Sequence, residues 1–258
     1  MTICSFAAST QRAAAALCAA LACLALPALA GEFVINPLRL TLDRATRAGE
    51  ILVRNDDRQP LRMQLEATRW TQDAAGKDRY DPTDELIFFP RAMELAPGES
   101  RIVRVGVKAA PVTREDTYRL FIEELPPPAG TAAPADGTSL RIFLRVGVAV
   151  FIAPTNGEPV ARIEPIALGD GAARWTVTNA GNAHFRAESV ELRGIAPDGS
   201  AVFTQSFPER YFLAGVAKPL TLPIDRDVCR KLAALEAKVA GEGVNAQRKL
   251  DVDPAACR

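Results

Sequence analysis

The amino-acid sequence predicts an all-β protein built from two β-sandwich domains. Short segments in which apolar and polar residues alternate recur along the chain, and turn signals rich in Gly, Pro, Asn and Asp separate them. The segments fall into two blocks, divided by the linker sequence PTNGEP at 154–159. Strands of this spacing, joined by turns, are typical of sandwiches.

The first block contains a series of predicted strands. Pro37 interrupts the first of them, which is typical of an edge or bulged strand. The alternation is clearest from Leu61 to Trp70, where it indicates a half-buried strand. The predicted strands are Phe33–Leu42, Gly49–Arg54, Leu61–Trp70, Leu86–Phe89, Arg101–Val107 and Thr117–Leu125. A Pro-, Gly- and Ala-rich loop at 126–138 follows them.

One long segment ends the first block. Large aliphatic residues alternate through it with period two, at Leu140, Ile142, Leu144, Val146, Val148, Val150 and Ile152. This predicts a strand from Leu140 to Ile152, well above the usual length of about five or six residues. The stripe is either a core strand of its own sandwich or a strand with one end that serves a partner.

The second block predicts four more strands and a helix. The strands are Val160–Leu168, Arg174–Thr178, Phe185–Ile195 and Ala201–Phe207. The helix is expected over Arg230–Val239, because Leu232, Leu235 and Val239 then share one face and Gly241 follows. The expected domains, both of immunoglobulin type, therefore cover residues 31–153 and 160–258.

Composition excludes several classes of function. The chain has 31 Lys and Arg against 31 Asp and Glu, and zero net charge argues against a dedicated nucleic-acid binder. His184 is the single histidine, which removes His-based triads and His-rich zinc sites. Adjacent acidic pairs such as Asp56-Asp57 face opposite ways on a strand and make poor catalytic dyads. We expect no enzymatic site, no cofactor and no metal.

Residues 1–30 predict export. Arg12 is their one charged residue, an apolar run covers Ala13 to Leu26, and Ala28 and Ala30 form an A-x-A cleavage pattern. This apolar run is shorter than a membrane-spanning helix, which needs about 20 apolar residues. We expect a signal peptide cleaved after Ala30 and no stable membrane insertion. An N-terminal anchor and lipid attachment at Cys23 are the alternatives.

Export determines how the cysteines are interpreted. After cleavage only Cys229 and Cys257 remain. A single pair in an oxidising compartment predicts a disulfide. It would close a loop of about 29 residues, which the chain-entropy relation equates with about 3.6 kcal/mol of stabilisation.

Several motifs together resemble the periplasmic pilus-assembly chaperones of the PapD-like family. In the first block these are PLRL at 37–40, ILVRN at 51–55, WTQ at 70–72, PG at 97–98, IVRV at 102–105, YRL at 118–120 and ELP at 124–126. In the second block NAGNAH at 179–184 and YFLAG at 211–215 are similar to the branch called archaic. The resemblance implies two immunoglobulin-like domains in an L-shaped arrangement and a periplasmic location. The tail from Asp227 to Arg258 resembles no part of the family.

The resemblance also implies a function that fits the long strand. Such chaperones lend an edge strand to a pilus or fimbrial subunit that lacks its last strand, without nucleotide, and deliver the subunit to an outer-membrane usher. This is β-augmentation: backbone hydrogen bonds satisfy the open edge and alternate side chains fill the groove. The lent side chains would be Leu140, Ile142, Leu144 and Val146, each worth about 1.5–3 kcal/mol when buried.

The family holds the subunit's C-terminal carboxylate with two basic residues in the cleft between the domains. Arg39 stands where the family has its first-strand Arg. The second residue, a Lys, is missing, because Ala149 occupies the aligned position. Arg145, four residues earlier and on the same face of the strand, is the predicted substitute.

A secreted or surface immunoglobulin-like subunit or adhesin is the rival hypothesis. A subunit polymerises, whereas a chaperone forms a one-to-one complex with an incomplete subunit. The long strand lies between two domains and not at an unpaired terminus, which favours the chaperone.

Overall fold

The computed structural model describes residues 33–108, 112–126, 142–208 and 211–257. The predicted signal peptide and Leu140 lie outside these ranges. Within them the fold is all-β, with four sheets that form two sandwiches. The predicted fold class is confirmed. No helix in the described part of the chain is long and apolar enough to cross a membrane.

The first sandwich consists of two sheets. One contains, in spatial order, β1 (Phe33–Asn36), β3 (Ala48–Asn55), β8 (Ser100–Val107) and β6 (Leu86–Phe89). The other contains β2 (Arg39–Leu42), β10 (Arg145–Ile152), β9 (Asp116–Glu124), β4 (Leu61–Gln72) and β5 (Asp78–Pro82), with β7 (Ala92–Leu95) also paired to β4. Alternating apolar residues of both sheets meet in one core, which includes Val53, Leu65 and Val105.

The predicted first strand is two strands. β1 pairs antiparallel with β3 in one sheet, whereas β2 pairs parallel with β10 in the other. Pro37 lies between them and has no N–H to donate to a ladder. The chain therefore leaves one sheet at Pro37 and enters the other, and this change of sheet brings Arg39 beside β10.

The second sandwich also has two sheets. One contains β11 (Ala161–Ile163), β13 (Ala172–Asn179) and β12 (Ala167–Gly169), with β17 (Ala217–Pro223) also paired to β13. The other contains β15 (Ala201–Ser206), β14 (Phe185–Ile195), β18 (Ala234–Gly241) and β19 (Val244–Asp251), with β16 (Tyr211–Phe212) paired to β14. The core between them includes Trp175, Val190, Leu192 and Leu235.

The predicted helix over Arg230–Val239 is wrong, because most of this segment belongs to strand β18. The helix of this region, α1, is the short turn Arg226–Cys229. Buried Leu235, Ala237 and Val239 alternate with Glu236 and Lys238, so the same residues also fit a period of two. Ala, Leu, Glu and Lys favour helices locally. Hydrogen bonds to β14 on one side and to β19 on the other stabilise the segment as a strand instead of a helix.

The predicted disulfide is present. It joins Cys229, at the end of α1, to Cys257, in a 3₁₀ helix at Pro254–Cys257, with 5.6 Å between the two Cα atoms. The hairpin of β18 and β19 lies between the two cysteines in sequence. The bond therefore closes the base of this hairpin.

Candidate binding site: an open strand edge and a basic cleft

The alternating stripe changes from exposed to buried along its length. Ile142 is 67% exposed and Leu144 is 43% exposed. Val146 is partly buried, and Val148 and Val150 are fully buried in the first core. The C-terminal half of the stripe therefore packs within its own domain, while the described part of the N-terminal half faces solvent.

The strand is shorter than predicted. Among the described residues it begins at Arg145, and Ile142 to Leu144 have no regular structure. Its neighbour β9 ends at Glu124, whose N–H donates to the Leu144 carbonyl at 2.9 Å. Beyond that bond the described chain offers no strand for Ile142 to pair with. Alternation shows which face a strand would bury, whereas the length of the strand depends on where its partner ends.

One edge of β10 is open. β9 pairs with β10 from Arg145 to Ile152, but β2 reaches only from Ala149 to Ile152. The Ala149 N–H donates to the Leu38 carbonyl on the β2 side, so the backbone groups of Arg145 and Gly147 point the same way. No described strand pairs with them there, although the Gly147 carbonyl accepts a hydrogen bond from the Arg119 side chain. Such an edge is a template for another strand.

The opposite face of β10 faces the second domain. Ala149 and Phe151 are fully buried with Trp70 of β4 and Leu213, which follows β16. The Phe151 ring stacks on the His184 imidazole, with 3.6 Å between ring centroids and 8° between planes. This aromatic cluster joins the two sandwiches.

Hydrogen bonds between His184 and Glu115 accompany the stacked rings. His184 Nδ1 lies 2.8 Å from a carboxylate oxygen of Glu115, and the His184 N–H donates to the same oxygen at 2.8 Å. The Glu115 side chain is almost fully buried. The hydrogen bonds of His184 to Glu115 therefore form a contact between the two domains.

Arg39 lies where the two sandwiches meet, a region called the cleft below, because β2 pairs with β10. Its register partner is Ala149, and partners in a parallel pair point their side chains to the same face. Arg39 Nη1 donates to a carboxylate oxygen of Glu242 at 2.7 Å. This bond raises the pKa of Arg39 and lowers the pKa of Glu242, so both groups are charged near neutral pH.

Arg145 lies away from Arg39. It is four residues before Ala149, a distance of about 13 Å along the strand. Its guanidinium donates to Glu66 at 2.8 Å, lies 3.6 Å from Glu123, and sits 4.0 Å above the centre of the Phe121 ring. The structure therefore does not bring the two predicted anchor residues together. A role for Arg145 in binding a carboxylate stays a prediction.

A third cation, Arg119, stands beside Ala149 and was not predicted as a site residue. It is the register partner of Ala149 on β9, so Arg39 and Arg119 flank Ala149 on its two sides. Its guanidinium lies 3.9 Å above the Trp70 ring and donates to the Gly147 carbonyl at 3.1 Å. The Nε atom is buried and has no hydrogen-bond partner among the described residues. Strand register places Arg119 beside Ala149, and no local sequence pattern predicts this position.

Comparison with known proteins identifies one matching family and many solved structures with a similar fold. Residues 32–158 match the family described as pili and flagellar-assembly chaperone, PapD N-terminal domain. No curated protein matches the chain significantly in sequence.

Among solved structures, a chain of the CsuC–CsuE chaperone–tip adhesion subunit pre-assembly complex from the archaic Csu pili of Acinetobacter baumannii is similar. Its TM-score is 0.58 at 16% identity, covering 84% of this chain and 97% of that one. A chain of the SafA pilin–SafB chaperone complex of Salmonella enterica has a TM-score of 0.58 at 14% identity, covering 86% and 98%. The CupB2 chaperone of Pseudomonas aeruginosa has a TM-score of 0.53 at 16% identity, covering 85% and 100%. At these identities the likeness shows a shared fold.

Proposed function

Since residues 32–158 place this chain in the PapD-like family of pilus-assembly chaperones, we propose that it binds incomplete fimbrial subunits by donor-strand complementation. It acts in the periplasm without ATP and passes each subunit to an outer-membrane usher. The sequence resemblance favours the archaic branch of the family.

The open edge of β10 carries this proposal. The backbone groups of Arg145 and the N–H of Gly147 point sideways from the edge of the sheet, next to a segment whose aliphatic side chains are exposed. A subunit that lacks its last strand has an open edge and an apolar groove, both of which are unfavourable in water. Pairing the two edges satisfies both sets of backbone groups at once.

The side chains along the strand have different roles at its two ends. Ile142 and Leu144 are exposed and would enter the subunit's groove, with Leu140 before them and Val146 at the margin. Each buried aliphatic side chain contributes about 1.5–3 kcal/mol before the costs of ordering. Val148 and Val150 already pack in the first core and hold the strand in place.

The cleft supplies the polar end of the interaction. Arg39 would bind the subunit's C-terminal carboxylate and thereby set the register of the lent strand. Arg145, farther along the same face, is the second cation proposed for this role. A charge-assisted bond of Arg to a carboxylate is among the stronger hydrogen bonds in proteins.

Co-expression in the periplasm with a fimbrial subunit from the same genome tests the function. We expect a stable one-to-one complex that survives treatment with apyrase, which removes ATP. In the presence of usher membranes the subunit should leave the complex. If the chain alone assembles into polymers, the chaperone proposal is wrong and the structural-subunit hypothesis gains support. If the complex needs ATP, the proposed ATP-independent mechanism is wrong.

A further inference from the structure

The guanidinium of Arg39 already binds a carboxylate within the same chain. Its Nη1 donates to Glu242 Oε2 at 2.7 Å. Arg39 comes from β2 of the first sandwich, whereas Glu242 lies in the turn between β18 and β19 of the second. A glutamate side chain and a C-terminal α-carboxylate present the same pair of oxygens, so they compete for the same cation.

The position of Glu242 is defined by its surroundings. Its N–H donates to the Arg186 carbonyl of β14 at 3.2 Å. The preceding Gly241 lies so close to that carbonyl that a Cβ atom would clash with it. The disulfide of Cys229 and Cys257 closes the other end of this hairpin. The tip is therefore held against β14, where Glu242 reaches across the cleft.

Neighbouring charges favour a carboxylate at this point. The hydrogen bond from Arg39 is the main reason that the pKa of Glu242 is lowered, and Arg186 and His184 act in the same direction. The cleft thus presents positive charge from both domains around one carboxylate.

We propose that Glu242 is an internal stand-in for the carboxylate of a bound subunit, and that the subunit's C-terminus displaces it from Arg39. This inference rests on the proposed function of the cleft. The contact is suited to exchange, because Arg39 is 41% exposed and Glu242 is 46% exposed. Exposed ion pairs of this kind are weak.

The contact between Glu242 and Arg39 then has two consequences for binding. It keeps the Arg39 side chain directed into the cleft when no subunit is bound. The contact also lowers the affinity for every partner that must break it. A partner with a carboxylate of its own regains this loss by forming a new bond to Arg39. A strand that ends without a free carboxylate cannot form this new bond to Arg39 and therefore binds more weakly.

The internal contact can be tested without any partner. Phenylglyoxal modifies accessible guanidinium groups, and peptide mass spectrometry reads the rate at Arg39 alone. We expect Glu242→Gln to raise that rate by about two- to fivefold, the range of a surface ion pair. Glu50→Gln, which removes an exposed partner of Arg104 in the first sandwich, should leave the rate at Arg39 unchanged. Equal rates in the wild-type protein and Glu242→Gln would overturn the proposal.

Competition with a carboxylate ligand is tested separately. The probe is a fluorescent peptide of alternating valine and threonine, prepared with a free C-terminal carboxylate and as its C-terminal amide. Glu242→Gln should bind the free acid about two- to fivefold more tightly than the wild-type protein does, with no gain for the amide. An equal gain for both peptides would overturn the displacement. Failure of both peptides to bind any variant would count against the proposed function, whereas the modification rates would still decide whether Glu242 occupies Arg39.

Discussion

At the scale of single residues, the cleft is organised around the small side chain of Ala149. Arg39 and Arg119 are its register partners on the two sides. Arg119 is held by the Trp70 ring and by the Gly147 carbonyl, whereas Arg39 is exposed and bound only to Glu242 among the described side chains. This difference makes Arg39 the cation that a partner can reach.

Replacing Arg39 should affect binding far more than folding. If Arg39 holds a carboxylate of the subunit, Arg39→Ala is expected to weaken capture by about 2–5 kcal/mol, much of it from leaving that carboxylate unpaired. The melting temperature should hardly change, because an exposed ion pair contributes little. Subunit pull-down and thermal melting measure the two effects.

Arg104→Ala is the matched control for this change. Arg104 is also exposed and also paired with a glutamate, but it lies on the other sheet of the first sandwich. It should alter neither capture nor melting. If Arg39→Ala behaves like Arg104→Ala, then Arg39 is an ordinary surface residue.

At the scale of one element, β10 has two ends with different tasks. The end at Ala149–Ile152 lies between β9 and β2, and Val148, Val150 and Ile152 pack in the core. The end at Arg145 has one open edge and continues into the exposed segment from Ile142 to Leu144. The same alternating pattern therefore supplies both a core strand and the exposed segment that we propose binds the subunit.

The two ends should respond differently to the same kind of truncation. Val150→Ala leaves a cavity in the core and is expected to cost about 2–4 kcal/mol of stability. Ile142→Ala removes an exposed side chain, so the stability should change by less than about 1 kcal/mol, while subunit capture is strongly reduced. Chemical denaturation and pull-down measure both variants. The donor-strand role is lost if Ile142→Ala destabilises the free protein as Val150→Ala does and leaves capture intact.

At the scale of the whole molecule, one aromatic cluster connects the two sandwiches. Phe151 extends from β10 between Trp70 of the first domain and His184 and Tyr211 of the second. The same strand thus contributes to the first core, to the open edge and to the interface between the domains.

Removing Phe151 should therefore loosen the connection between the domains. Phe151→Ala is expected to cost about 3–5 kcal/mol through the cavity it leaves, and small-angle scattering should show a broader range of dimensions. Phe143→Ala is the matched control on the same segment, because Phe143 is exposed. A compact, unchanged scattering profile for Phe151→Ala would show that other contacts hold the domains.

The disulfide provides a second prediction at this scale. Mature protein from the periplasm should contain no free thiol under denaturing conditions. The expected cleavage after Ala30 removes Cys4, Cys18 and Cys23, and Cys229 and Cys257 are bonded to each other. Replacing both by Ser should lower the free energy of unfolding by about 3.6 kcal/mol, following the entropy of the closed loop. Two titratable thiols in freshly purified protein would contradict this prediction.

The sequence by itself determined the class of the fold, most of the strands and the cysteine pair. Apolar alternation is local, so the buried faces of β4 and of the C-terminal half of β10 are visible without a structure. The same pattern is ambiguous where helix and strand periods coincide, as from Leu235 to Val239, and there pairing with two neighbouring strands decided the outcome.

Only the tertiary structure decided which side chains form the cleft. Strand register brings Arg39 and Arg119 to either side of Ala149, and a hairpin of the second domain brings Glu242 to Arg39. These residues are far apart in the chain. Arg39 is expected here only from the family resemblance, and Arg119 and Glu242 each look like ordinary charged residues in sequence. Their proximity depends on hydrogen bonds and packing between distant segments, which local periodicity does not encode.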